Sequence, residues 1–260
     1  DDEYGRRATA WLADTGVDMD RVVVGDEPTT RSLVLRDPTG ERAIVTTGES
    51  FRSLQLDDAT LERTLESEVV FVTAYAPDRV TRRLLDAVVA RPAATRPAVV
   101  FDLSGPVTEL VGRGTAAETI HAYVHHADLF VAGGVATPAY FGSDAAAVER
   151  LRQIRTTDVG PAVLTHGAEG MTAIMDGGAR RYDAFDVDVV DTTGAGDAFI
   201  AGLIDQWLLA TDTSAAIDDA VRFAAAVAAI NCTERSTQAG LPTREAVRTF
   251  LAERGFDPAG

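Results

Sequence analysis

The chain has 260 residues, 46% of them hydrophobic, which is enough for one large α/β domain or two small ones with a substantial core. It carries 40 Asp and Glu against 24 basic residues, all of them arginine, and the resulting net charge of -16 disfavours nucleic acid and anionic membranes as partners. A single cysteine, Cys232, excludes an internal disulfide framework and a multi-cysteine zinc site, and no apolar run is long enough to span a bilayer. An acidic, lysine-free composition is expected of a salt-loving microbe whose cytoplasm is rich in salt, because screening there removes most of the self-repulsion. A GC-rich genome, favouring Arg, Ala, Val and Gly codons, produces the same bias.

The opening "DDEYGRRATAWLADTGVD" predicts a helix, with Tyr4, Ala8, Trp11 and Leu12 at helical spacing, and has no signal-peptide character. Residues 29 to 47 alternate at period two around Asp37-Pro38-Thr39-Gly40, which predicts an antiparallel hairpin, a candidate lid or dimer surface. Strand and helix patterns then alternate. "VVFVTA" (69 to 74) precedes "RVTRRLLDAVVA", "PAVVFDL" (97 to 103) precedes "AAETIHAYVHHA", "DLFVAG" precedes "AAAVERLRQI", and "PAVLTHG" follows. Such alternation predicts a parallel sheet flanked by helices, with right-handed crossovers and a ligand crevice at the C-terminal ends of the strands. A second hairpin is expected over 171 to 185, turning at Gly177-Gly178, and a further strand at "VDVVD" (187 to 191). From residue 197 onward the pattern is helical, with the alanine-rich "FAAAVAAI" reading as a close-packed core helix. There are no repeats, no low-complexity linker and no evident domain boundary.

"VDTTGAGDAF" (190 to 199) holds two glycines and two aspartates between a strand pattern and a long helix pattern. At a helix N-terminus, unpaired N–H groups and the helix dipole converge, and small residues let an anion come close. Gly194, Ala195 and Gly196 are therefore candidates for an anion cradle. Asp197, in the first turn, is a candidate base that takes a proton from an attacking hydroxyl while the cradle holds the phosphoryl group in transfer. The plainer reading is a strand-to-helix turn in which Asp197 merely meets the helix dipole, worth roughly 0.3–1 kcal/mol.

The string "DTTGAGDAF" followed by "AGL" resembles the C-terminal signature of the ribokinase-like, or PfkB, family of carbohydrate kinases. Other stretches fall in that family's order. "DEYGRRATAWLADTGVD" and "TTRSLVLRDPTGER" resemble its substrate lid region, "VLTHGAEG" (163 to 170) its nucleotide-side strand and turn, and "NCTERSTQAGLPT" (231 to 243) its closing loop. The likeness spans essentially the whole chain and implies a single ribokinase-like α/β domain over 1 to 260 with an inserted lid hairpin at 29 to 47. It implies Asp197 as catalytic base and Gly194, Ala195 and Gly196 as the anion hole. It further implies Thr165, Gly167, Gly170 and Thr193 beside ATP, and Asp191 with Thr193 near a monovalent cation such as K+. Mg2+ as cofactor, a sugar as acceptor, a cytoplasmic location, a homodimer formed through the lid and a haloarchaeal source all follow from the same likeness and composition. A nucleoside kinase is the main alternative, with Phe51 and Tyr75 as candidates for a base clamp, and a non-catalytic binding relative is a further one.

The sequence departs from the family in two places. The strand, early Asp and Gly-Gly/Asn segment that grip the sugar are not found in this chain. Where the family carries Asn-x-x-Glu, which helps organise Mg2+, this chain reads "AGGVATPAYFG", with no carboxylate until Asp144. Other signals lead elsewhere and are weaker. His121 and His125 have zinc-ligand spacing but no clear third ligand, "AGGVA" lacks the full G-x-G-x-x-G, a P-loop requires a lysine, and Ser104 lacks a G-x-S-x-G setting.

Overall fold

The computed structural model describes residues 1–36, 42–48, 50–156, 158–209, 213–235, 238 and 240–256. The chain divides into two compact units, residues 1–68 with 76–97, and residues 69–75 with 98–260.

The first unit contains α1 (Glu3–Asp14), the strands β1 (Arg31–Arg36) and β2 (Arg42–Thr47), the short α2 (Ser50–Ser53), α3 (Asp58–Leu65) and α4 (Asp78–Val89). Asp2 caps α1 by accepting from Gly5 N at 2.8 Å, and the same carboxylate accepts from Thr29 N and Thr29 Oγ1. These bonds, led by that from Gly5, hold the Asp2 carboxyl well below the usual range. The expected hairpin forms, with β1 and β2 antiparallel in register from Arg31↔Thr47 to Arg36↔Arg42. Its Asp37–Gly40 turn lies outside the described residues. Leu33, Val34, Leu35, Ile44 and Val45 are exposed, so the ribbon presents apolar side chains on both faces.

The second unit is built on a six-stranded sheet of β3 (Val69–Thr73), β4 (Ala98–Asp102), β5 (Leu129–Gly133), β6 (Ala162–Thr165), β7 (Met171–Met175) and β8 (Gly178–Tyr182), in that spatial order. The first four strands are parallel, and β7 and β8 join antiparallel. Helices α5 (Val107–Gly112) and α6 (Ala117–His126) connect β4 to β5, and α7 (Ala136–Phe141) and α8 (Asp144–Ile154) connect β5 to β6. After β8 come α9 (Ala195–Leu209), α10 (Thr213–Cys232) and α11 (Arg244–Ala252). Val100, Leu129, Val131 and Val163 of the sheet share one core with Phe199 and Leu203 of α9 and Val221 and Ala224 of α10. The alanines of α10 are there because α9 comes so near. A Cβ on Gly202 would sit 3.0 Å from Ala224 Cα and 2.9 Å from Val227 Cγ2.

A cation is buried in this unit. Arg155, just past α8, has no exposed surface. It donates to the carbonyls of Val124 and Ala127 at the end of α6, both at 2.6 Å, and its guanidinium lies 5.5 Å from the Phe130 ring centroid. Burial lowers its pKa to about 10, against the attraction of Asp128. The arginine thus closes the C-terminal end of α6, where orphan carbonyls and the negative end of the dipole favour a cation.

Residues 187–191 correct the sequence reading, since they form no strand. The alternation of "VDVVD" is genuine, but Val190 N and Asp191 N both donate to Cys232 O, at 2.8 and 3.2 Å, so the segment runs along the end of α10 instead of joining the sheet.

Candidate active site

The register aligns the C-terminal ends of the parallel strands, with Thr73 opposite Asp102 and Gly133 opposite Thr165. Gly133 is required there by packing, because a Cβ would fall 2.0 Å from Thr165 Oγ1. This accounts for the glycine in "AGG" without a dinucleotide.

The loop leading into α9 is fixed from both sides. Asp191 Oδ1 accepts from Thr193 N at 3.0 Å and Thr193 Oγ1 at 2.8 Å, closing an Asx turn. Asn231, fully buried on α10, donates to Thr193 O at 3.3 Å. Gly194 adopts φ +82°, the left-handed conformation that suits glycine, and its carbonyl accepts from Ala198 N. The helix therefore starts at Ala195, whose N–H donates to Thr192 O at 3.2 Å, and the N–H groups of Gly196 and Asp197 follow in its first turn, where an α-helix offers no intrahelical acceptor. Gly196 is exposed, and a Cβ there would enter open space. Asp197 follows, exposed, in the first turn.

Ala195 and Gly196 wall one cleft of about 400 Å³ together with Thr165, Gly167 and Gly170. Of the residues singled out in the sequence, Thr165, Gly167, Gly170, Ala195 and Gly196 share this cleft, while Asp191, Thr193, Gly194 and Asp197 do not line it. Phe185, Val187, Val189 and the alanines of α10 make the rest of the cleft largely apolar, as a flat ring would require. Cys232 also lines it, and burial pushes the thiol up. Gly170 has a structural reason of its own. At φ +92° its Cβ would fall 2.0 Å from Tyr182 O, so Gly170→Ala is expected to destabilise the fold by roughly 2–4 kcal/mol in a denaturant titration.

Sequence reasoning missed Asp102. Its half-buried carboxylate at the end of β4 accepts from Ser104 Oγ at 2.5 Å, and Ser104 Oγ lies 2.7 Å from Thr73 Oγ1, linking two strand ends. Ser104 holds a left-handed φ of +58°, unusual for a non-glycine residue and often found near functional sites. Burial raises the Asp102 pKa, the Ser104 bonds oppose that, and the charge of Asp197 adds to it, which places the two carboxylates within electrostatic reach. The only sequence clue was the Asp at the end of a strand whose C-terminal edge lines the crevice.

A group whose folded pKa is raised contributes stability that is lost as pH rises through that pKa. Asp102→Asn is therefore expected to raise the melting temperature at neutral pH, with the gain shrinking as pH falls below the carboxylate range. A melting series across pH tests this, and a gain independent of pH would show that the buried charge is not its source.

Other sequence candidates fall elsewhere. Tyr75 packs over Gly105 and under the Arg113 guanidinium, 5.0 Å from the ring centroid, while Phe51 belongs to the first unit. Asp144 faces His166 at 3.5 Å. Among the described residues no three His, Cys, Asp or Glu side chains are grouped to hold a metal.

A Gly-rich turn at a helix N-terminus, followed by a first-turn carboxylate and beside an apolar cleft, is an arrangement that can receive an anion. Residues 1–244 match the model of the pfkB family of carbohydrate kinases, and the chain belongs to that family. It is 40% identical over 92 residues to the ATP-dependent ribose-1-phosphate kinase of Halopiger xanaduensis, a match spanning 35% of this chain and 29% of that protein. It is 36% identical over 104 residues to a nucleoside kinase of Methanothermobacter thermautotrophicus, spanning 39% of this chain and 32% of that protein. The fold matches that of Arabidopsis thaliana ribokinase complexed with ribose and ATP, with a TM-score of 0.76, 20% identity, and coverage of 96% of this chain and 79% of that one.

Proposed function

We propose that this protein is an ATP-dependent kinase that transfers the γ-phosphoryl group to a hydroxyl of a sugar. The observation that carries the proposal is the single cleft walled by Thr165, Gly167, Gly170, Ala195 and Gly196, with Asp197 next in the helix. In this reading the apolar wall takes the adenine and the α9 N–H groups take the γ-phosphoryl oxygens. Losing preorganised donors of that kind costs about 3–4 kcal/mol in the transition state. Asp197 orients the acceptor hydroxyl and takes its proton late, as the new P–O bond forms, so that positioning carries most of the rate.

Mg2+ would neutralise phosphate charge. It commonly binds through one or two carboxylates plus the phosphates themselves. Asp102, a hard oxygen donor within electrostatic reach of Asp197, fits that role and would stand in for the missing Asn-x-x-Glu carboxylate. Asp191 and Thr193, already tied in one turn, would border a monovalent cation such as K+.

The β1–β2 ribbon would serve as the lid and as the contact of a homodimer, because apolar side chains exposed on both of its faces need covering. Leu33→Glu combined with Ile44→Glu is expected to turn a dimer into a monomer in light scattering, and a mass unchanged from wild type would remove the dimer role.

The acceptor is tested by ADP release in molar KCl across ribose, ribose 1-phosphate, fructose and nucleosides. Turnover with one sugar supports the reading, turnover with nucleosides alone makes the protein a nucleoside kinase, and ATP binding without turnover makes it a binding relative.

A further inference from the structure

A second cleft, of about 480 Å³, lies on the other side of the loop that follows β8, and shares Ala184, Phe185, Asp186 and Ala225 with the first. Arg181, Arg222 and Arg254 line it. Three guanidiniums on one cleft is a marked local reversal in a chain whose acidic residues outnumber its basic ones 40 to 24.

Two of these arginines are held by aromatic rings. The Arg222 guanidinium carbon lies 5.9 Å from the Tyr182 centroid and 5.4 Å from that of Phe256. That of Arg254 lies 3.5 Å over Phe250, and Arg254 Nη1 donates to Phe250 O. Stacking occupies the faces of a guanidinium and leaves its N–H edge to donate, the edge that matches a phosphate in two parallel hydrogen bonds. The natural counterion is already taken, since Asp218 bonds to both Tyr182 Oη and Arg180. Among the described residues Arg222 has no carboxylate partner, and the nearest for Arg254 is Glu253 at 4.0 Å. Arg181 leans on Glu169, donating to its carbonyl at 3.0 Å. The remaining carboxylates on the cleft, Asp183 and Asp186, can only accept. A bare anion would be repelled by them, whereas a ligand with hydroxyls beside its phosphate gives them donors.

We propose that this cleft binds a phosphomonoester with a hydroxylated ring, the phosphate on the edges of Arg222 and Arg254 and the hydroxyls on Asp183 and Asp186. Two kinds of metabolite share that chemistry, a sugar phosphate and a nucleoside monophosphate. Ribose 5-phosphate and AMP are the probes that separate them.

Each is titrated calorimetrically into the full chain in molar KCl, for wild type, Arg222→Gln, Arg254→Gln and Arg181→Gln. Melting temperatures confirm that the variants fold, and the exposed Arg181 and Arg254 keep the comparison valid if Arg222→Gln does not. One probe is expected to bind saturably and to lose tenfold or more in affinity in Arg254→Gln and Arg222→Gln. Binding of neither probe overturns the proposal, and so does binding that these variants leave unchanged, because neither arginine lines the cleft assigned to ATP. The readout is independent of catalysis. A protein that transfers no phosphoryl group but shows the arginine-dependent binding would refute the kinase reading and leave this site standing.

Discussion

Replacing Asp197 with asparagine is expected to lower kcat by roughly 10³-fold while leaving the affinity for ATP nearly unchanged. Asparagine keeps the size of the side chain and a carbonyl oxygen, but it cannot take the acceptor's proton. Because the carboxylate is exposed in the first turn of α9 and, among the described residues, makes no side-chain hydrogen bond that shapes the loop, the substitution should spare the fold. The loss should thus sit in the chemical step and not in KM. The measurement is ADP release with the best acceptor, alongside calorimetric ATP binding and a melting curve. If Asp197 serves only the helix dipole, the variant would keep its turnover and shift in stability by about 0.3–1 kcal/mol, and that pattern would sink the assignment.

Arg155→Ala is expected to destabilise the protein by about 3–5 kcal/mol in urea unfolding at fixed salt. Two mechanisms act together. Truncation leaves a cavity against Phe130, and it strips the Val124 and Ala127 carbonyls of their donors where water cannot replace them. Arg155→Met refills most of the volume but restores neither hydrogen bond, so it should recover part of the loss. A change under about 1 kcal/mol for Arg155→Ala would mean that the site collapses or hydrates freely.

Much of the architecture was legible because local patterns and global fold agree. The segments read as hairpins, 29–47 and 171–185, hold the antiparallel pairs β1–β2 and β7–β8, and the runs "VVFVTA", "PAVVFDL", "DLFVAG" and "PAVLTHG" hold the neighbouring parallel strands β3 to β6. The glycine turn into α9 was legible for a different reason, since glycine spacing before a helix has a backbone meaning that survives without tertiary information. Three features resisted. "VDVVD" alternates like a strand, but its amides pair with Cys232 O, a partner that only the packing of α10 supplies. Arg155 carries no signal in the sequence, because nothing local shows that two carbonyls at the end of another helix wait for a cation. Asp102 gains its significance from its surroundings, since the Thr73 hydroxyl that Ser104 links it to and the charge of Asp197 come from elements the sequence does not place beside it.

The order of strands in the main sheet has a consequence for how the protein is made. From β3 to β8 spatial order follows chain order, so no strand must slot between two that are already paired. As the chain leaves the ribosome, each new strand finds its docking edge already present, and the parallel pairings, which close long loops, are made one at a time. The last two strands need no crossover and close as local hairpins. Growth then stops at β8, whose exposed Arg180 and Arg181 put charge on the terminal strand and discourage a neighbouring molecule from continuing the sheet.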